Sequence, residues 1–139
     1  GIYYVLVQGE TAYSGVKIVA THAELVTYTN STAFPIPDNN PAGIESPITV
    51  SGRSGNALAA TQVSVNITHT WIGDLIVTLV APDGSTTVLH NRTGGSADDI
   101  VATYTVNLAT KPKNGTWRLR VSDNAAADTG TLNSWSIRF

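Results

Sequence analysis

The chain has 139 residues, 13% of them charged, with eight Lys and Arg against ten Asp and Glu, no Cys and no Met. That length fits one domain burying roughly two thirds of its unfolded surface. Without Cys there is no disulfide framework or thiolate metal site. The charge balance offers no basic patch for a phosphate backbone, so no nucleic acid partner is expected.

No apolar run approaches the ~20 residues of a membrane span, so no membrane partner is expected either. The lack of Met and of a basic-then-apolar leader reads as a processed piece of something longer. Cys-free composition does not assign a compartment, since secreted bacterial proteins often avoid Cys.

Residues 1–33 open the chain with two strand-like runs, Ile2–Val7 and Val16–Ala20, joined by a turn-rich connector with Tyr3, Tyr4 and Tyr13 around it. Two strands alone do not make a domain. Either 1–33 is a hairpin and linker from a preceding unit, or Ile2–Tyr28 supplies edge strands to the domain at 34–139. A hairpin standing alone would expose Ile18, Leu25 and Val26.

Residues 34–139 read as one all-β domain. Alternation and turn signals predict strands at 46–51, 61–70, 74–81, 85–89, 100–108, 115–122 and 131–139, and no helix. In the second of these, Val63, Val65, Ile67 and His69 alternate with Gln62, Ser64, Asn66 and Thr68, giving one apolar and one polar face. Pro82-Asp83-Gly84 closes the next strand: Pro fixes φ, Asp bonds its own backbone and Gly takes a positive φ. Trp117, Leu119 and Val121, then Trp135, Ile137 and Phe139, point inward, with Arg118, Arg120 and Arg138 on the other face. Short strands at even spacing argue for an antiparallel β-sandwich or jelly roll.

If consecutive strands are antiparallel, loops 35–45, 71–74, 90–99 and 123–130 share one end of the sandwich. Loops 52–60, 82–84 and 109–114 share the other. Asp38, Asp74, Asp98, Asp99, Asp123 and Asp128 then crowd the first end, which suggests a Ca²⁺ site completed by Asn39, Asn40, Asn124 and backbone carbonyls. Asp38, Asp99 and Asp128 are the leading ligands. The plainer reading is that each Asp caps its own turn, which Asp74 and Asp123 suit well.

No HExxH helix, GxSxG elbow or phosphate-cradling loop is present. His22, His69 and His90 are scattered. A Ser96, His90 and Asp98 or Asp99 set would have to assemble by geometry alone. His69 is expected to order a hydrogen bond near Trp71 or the rim. The chain is therefore not expected to be an enzyme by itself.

Five segments in order, IPDNNPAGIES at 36–46, NITHTWIGDLIVTLVAPDG at 66–84, GGSADDI at 94–100, NGTWRLRVSD at 114–123 and DTGTLNSWSIRF at 128–139, resemble the P domain, or Homo B domain. This family follows the catalytic unit of subtilisin-like convertases and of many secreted bacterial proteases. GIYYVLVQGETAYSGVKIVATH at the start is similar to the closing hairpin of the bacterial pre-peptidase C-terminal domain. The resemblance implies a jelly roll of about eight strands, secretion, a catalytic protease domain in the same polypeptide as partner, and a role in folding, stabilising or regulating it. It leaves open whether the parent is a serine or a metalloprotease. The alternative is a module anchoring insoluble protein substrate such as collagen, or a glycan, through Trp71 with Tyr3 or Tyr104. Where convertases often carry Arg-Gly-Asp, this chain has Ile72-Gly73-Asp74, so an integrin-like reading has no basis.

Overall fold

The computed structural model describes residues 4–12, 14–19 and 24–139. Residues 4–12 and 14–19 are exposed and carry no regular secondary structure. Over their described parts, then, neither N-terminal run forms a strand: nothing pairs with them, and unpaired strands are not stable alone. Ile2, Tyr3, Tyr13, Ala20 and His22 lie outside the described residues.

From Thr27 onward the chain forms β1 (Thr27–Asn30), β2 (Phe34–Ile36), β3 (Asn40–Val50), β4 (Thr61–His69), β5 (Leu75–Val80), β6 (Thr86–Asn91), β7 (Ile100–Val106), β8 (Gly115–Asp123) and β9 (Gly130–Arg138). One sheet runs β1-β9-β4-β7, with β2 also on β9; the other runs β3-β8-β5-β6. Every pairing is antiparallel. Asn30 faces Trp135 and Phe34 faces Leu132, so β1 and β2 are successive pieces of one edge strand laid along β9. Counted that way, the strands fill the eight positions of a jelly roll.

The strands expected from 61 onward are present with ends shifted by one or two residues. β2 is absent from the expected strands, β1 overlaps only the last two residues of the edge-strand reading for Ile2–Tyr28, and β3 begins at Asn40 rather than near 46. β1 is the polar tetrapeptide TYTN, and β2 holds Pro35, which is tolerated on an edge. The early half of β3 contains Pro41 and Gly43, with a register shift between Asn40 and Ile44. Gly43 has φ +64°, and a Cβ there would run into the Val121 carbonyl. A bulge thus hides this strand from an alternation test.

The core lies between the sheets. Val63, Ile67, Leu75, Val77, Trp117, Leu119, Val121, Leu132 and Ile137 are fully buried. Phe139 links Trp117, at 5.8 Å between ring centroids, to Tyr28, at 5.9 Å. Each buried indole N–H has an acceptor, Trp117 on the Lys113 carbonyl and Trp135 on Ser46 Oγ, both at 3.0 Å.

Candidate functional site at the acidic loop end

The inward series of β4 ends on His69, and the inward series of β8 ends on Asp123. Each strand therefore delivers a polar side chain to the same end of the core. His69 is 1% exposed and Asp123 0%. The Trp71 backbone N–H donates to His69 Nδ1 at 3.1 Å, so that nitrogen accepts and the ring proton sits on Nε2. Nε2 donates to Asp123 Oδ2 at 3.2 Å, while Asp123 Oδ1 accepts the Ala125 N–H at 3.1 Å. Both carboxylate oxygens of Asp123 are thus engaged inside the protein. The pair links the two sheets and fixes the start of the 124–129 loop.

The other loops tie into this frame. A 3-10 turn at Ile72–Asp74 docks on the 92–99 loop, with Ile72 N–H on the Ala97 carbonyl at 3.0 Å and Gly73 N–H on the Gly95 carbonyl at 2.9 Å. The Asp74 carbonyl accepts from Asn124 N at 2.9 Å and Asn124 Nδ2 at 3.2 Å. His90 Nε2 donates to the Ile72 carbonyl at 2.9 Å, and its Nδ1 faces the Thr93 hydroxyl at 3.4 Å. Both ring nitrogens are therefore occupied away from Ser96, and the Ser96–His90–Asp set does not assemble.

The six acids do share this end, in separate roles. Asp99, with φ +59°, accepts the His69 N–H on Oδ1 at 2.9 Å and returns its own N–H to the His69 carbonyl at 2.9 Å. Asp128 Oδ1 accepts from the Thr70 hydroxyl at 2.7 Å, and Asp38 Oδ2 accepts the Ala127 N–H at 3.3 Å. Asp74 is buried, and Asp98 is exposed. Among the described residues no three His, Asp or Glu side chains converge as a metal cluster. The reason lies in strand order: Asp98 and Asp99 flank the end of β4 on its β7 side, while Asp128 and Asp38 flank it on its β9 side. Their side chains nevertheless reach consecutive residues, Asp99 bonding His69 and Asp128 bonding Thr70. By chain position and partners, Asp38 and Asp128 belong to the 124–129 loop, Asp98 and Asp99 to the start of β7, and Asp74 and Asp123 are buried.

The two aromatics also separate. Trp71 stands at this end, 44% exposed. Tyr104 faces buried Val63 on the inner side of β7 and packs on the core, where burial raises its phenol pKa. Val63 and His69 are six residues apart along β4, about 20 Å, so Tyr104 opposite the first and Trp71 beyond the second form no common platform. Tyr3 lies outside the described residues.

Two features escaped the sequence reading. Asn30 Nδ2 donates to Ser46 Oγ at 3.0 Å, and that oxygen also takes the Trp135 indole N–H, forming a polar link through the core. Gly130 sits opposite His69, where a Cβ would overlap the imidazole and the Thr68 carbonyl. The His69–Asp123 pair did leave a signal, because both residues continue an inward-facing alternation.

These features define an antiparallel jelly-roll module whose polar end is a self-contained frame of hydrogen-bonded loops. Residues 58–139 match the proprotein convertase P-domain family, and the chain belongs to it. It is 56% identical over 113 residues to leupeptin-inactivating enzyme 1 of Streptomyces exfoliatus, covering 81% of this chain and 26% of that protein. It is 46% identical over 113 residues to the transglutaminase-activating metalloprotease of Streptomyces mobaraensis, covering 81% and 15%. A calcium-dependent protease of Trichormus variabilis is 44% identical over 92 residues, covering 59% and 14%. The chain thus spans roughly a quarter or less of these relatives, and it is a protease-associated domain. The serine protease of Aeromonas sobria, in its complex with the chaperone ORF2, shares the fold at TM-score 0.64 and 20% identity, over 84% of this chain and 27% of that one. Among the described residues no helix is long and apolar enough to cross a membrane.

Proposed function

We propose that the chain is a non-catalytic accessory domain of a secreted bacterial protease, which docks on the catalytic unit of the same polypeptide and stabilises it. The supporting observation is the recurrence of this 113-residue stretch as a minor part of larger relatives, one named a metalloprotease. A domain that binds only the folded catalytic unit shifts its folding equilibrium by mass action. The test is to delete the matching segment from the Streptomyces exfoliatus relative and then to replace it with this chain. Deletion is expected to lower the yield of active enzyme and its thermal half-life, and replacement to restore both. A deletion enzyme with full yield and half-life removes the proposal.

Calcium belongs to the same reading, supported by the relative named a calcium-dependent protease. Asp38 and Asp128 would hold the ion, with Asn39, Asn40 and carbonyls of the 124–129 loop as neutral oxygen donors, the ligand chemistry Ca²⁺ favours. Asp98 and Asp99 would add negative potential from the other flank. Asp74 and Asp123 would keep structural roles.

A second reading rests on the 44% exposure of Trp71, an indole available to stack on a glycan or an apolar peptide side chain. Retention of the chain on insoluble collagen or polysaccharide, lost in Trp71→Ala, would support substrate anchoring.

A further inference from the structure

A sheet edge offers unpaired backbone groups to any other strand, and stable monomers blunt their edges with charges, Pro, bulges or short, covered strands. Three of the four edges here are blunted. The β1/β2 edge is broken into pieces of four and three residues, with Pro35 in the second. β3 carries Pro41, Glu45, Pro47 and a bulge. β6 is bulged as well, since Val77 faces His90 while Thr78 faces Val88, leaving Leu89 extra.

Among the described residues, β7 has none of these devices. Its seven residues, IVATYTV, include no charge, Pro or Gly, and their register on β4 has no shift. Val101 is 77% exposed, and Thr103 and Thr105 are exposed beside it.

Charge selects the partner. The loop end beside the start of β7 holds Asp38, Asp74, Asp98, Asp99, Asp123 and Asp128 against Arg92, a net of −5. The end its other terminus leads to holds Arg53, Lys111, Lys113 and Arg138 against Asp83 and Glu24, a net of +2. We infer that the β7 edge binds the β7 edge of a second copy of this chain, antiparallel about a two-fold axis. With Thr103 at that axis, the Asp98–Asp99 end of each copy lies beside the Lys111–Lys113 loop of the other. Parallel pairing would instead set acidic end against acidic end. The contact is isologous and closes as a dimer.

Sedimentation equilibrium on the 139-residue chain tests this, at low salt and up to about 1 mM, where weak pairs are still populated. A monomer–dimer equilibrium is expected, with a dissociation constant that rises with salt. Thr103→Lys puts like charges together at the axis and should weaken the dimer by at least about tenfold. Val101→Lys is a second edge variant should the first unfold, and Val88→Lys on β6 should change nothing. Circular dichroism checks that each variant is folded. A chain monomeric throughout overturns the inference, whether another protein or nothing covers the edge, as does a dimer insensitive to both β7 variants or equally weakened by Val88→Lys.

Discussion

His69 and Asp123 meet across the sandwich, Nε2 to Oδ2 at 3.2 Å, with both side chains shut off from solvent. One ends a strand of the first sheet and the other a strand of the second. Asp123→Ala would leave the buried His69 Nε2–H without an acceptor, at about 1–3 kcal/mol, and the half-buried Ala125 N–H with only solvent to bond. Asp123→Asn keeps an acceptor oxygen and should cost less. Urea unfolding of the two variants checks the order, and a loss under about 0.5 kcal/mol for Asp123→Ala would mean the pair is replaceable.

Gly130 is predicted to be intolerant of any side chain, because a Cβ there meets both the His69 ring and the Thr68 carbonyl. Backbone cannot move aside cheaply, so Gly130→Ala should destabilise by about 1–3 kcal/mol. The test of cause is a double-mutant cycle with His69→Ala, which removes the ring. Strict additivity would show that the imidazole is not what the new methyl strikes.

Alternation made the inner faces of β4, β8 and β9 readable, since period two assigns every second side chain to the core. The same rule pointed His69 and Asp123 inward but said nothing of their distance, which depends on how strands from different sheets are stacked. It also grouped six acids at one end without resolving that β4 stands between Asp99 and Asp128. β1 and the first half of β3 were illegible for a local reason. A short polar edge piece and a stretch bulged at Gly43 both lack the repeat that the test detects.

Ser46 is a small hydroxyl with a large structural task, receiving the Trp135 indole N–H and the Asn30 amide on one oxygen. Ser46→Ala leaves that buried indole N–H unpaired and should cost about 1–3 kcal/mol. Trp135→Phe in the Ser46→Ala background removes the orphan donor. Its further cost should then be smaller than that of Trp135→Phe alone, and equal costs in both backgrounds would contradict the link.

At the opposite end, Asp83 is held well below the ordinary carboxylate range. The Ser85 hydroxyl is the main cause, followed by the Lys111 ammonium at 2.9 Å. A carboxylate depressed in the folded state stabilises the protein above its unfolded pKa, and that contribution is lost as pH falls toward the folded value. Asp83 should therefore stay ionised through the range near pH 4 where ordinary carboxylates protonate. Carboxyl carbon shifts followed by NMR report this directly. In Ser85→Ala the Asp83 titration should move upward, and an unmoved curve would exclude the hydroxyl as its cause.

Calcium offers the sharpest separation between two uses of the same acids. If Asp38 and Asp128 only cap loops, Ca²⁺ leaves the melting temperature unchanged and EGTA does nothing. If they hold an ion, free Ca²⁺ at ten times its dissociation constant adds about 1.4 kcal/mol, and Tm rises with its logarithm. Asp38→Asn and Asp128→Asn should each abolish that rise while retaining an oxygen for the Ala127 N–H and the Thr70 hydroxyl. Asp98→Asn, on the far flank, should weaken the response through lost potential without removing it. An equal and complete loss in Asp98→Asn would move the ion to the β7 side of β4, and a chain indifferent to Ca²⁺ would leave Asp38, Asp99, Asp123 and Asp128 to their hydrogen bonds alone.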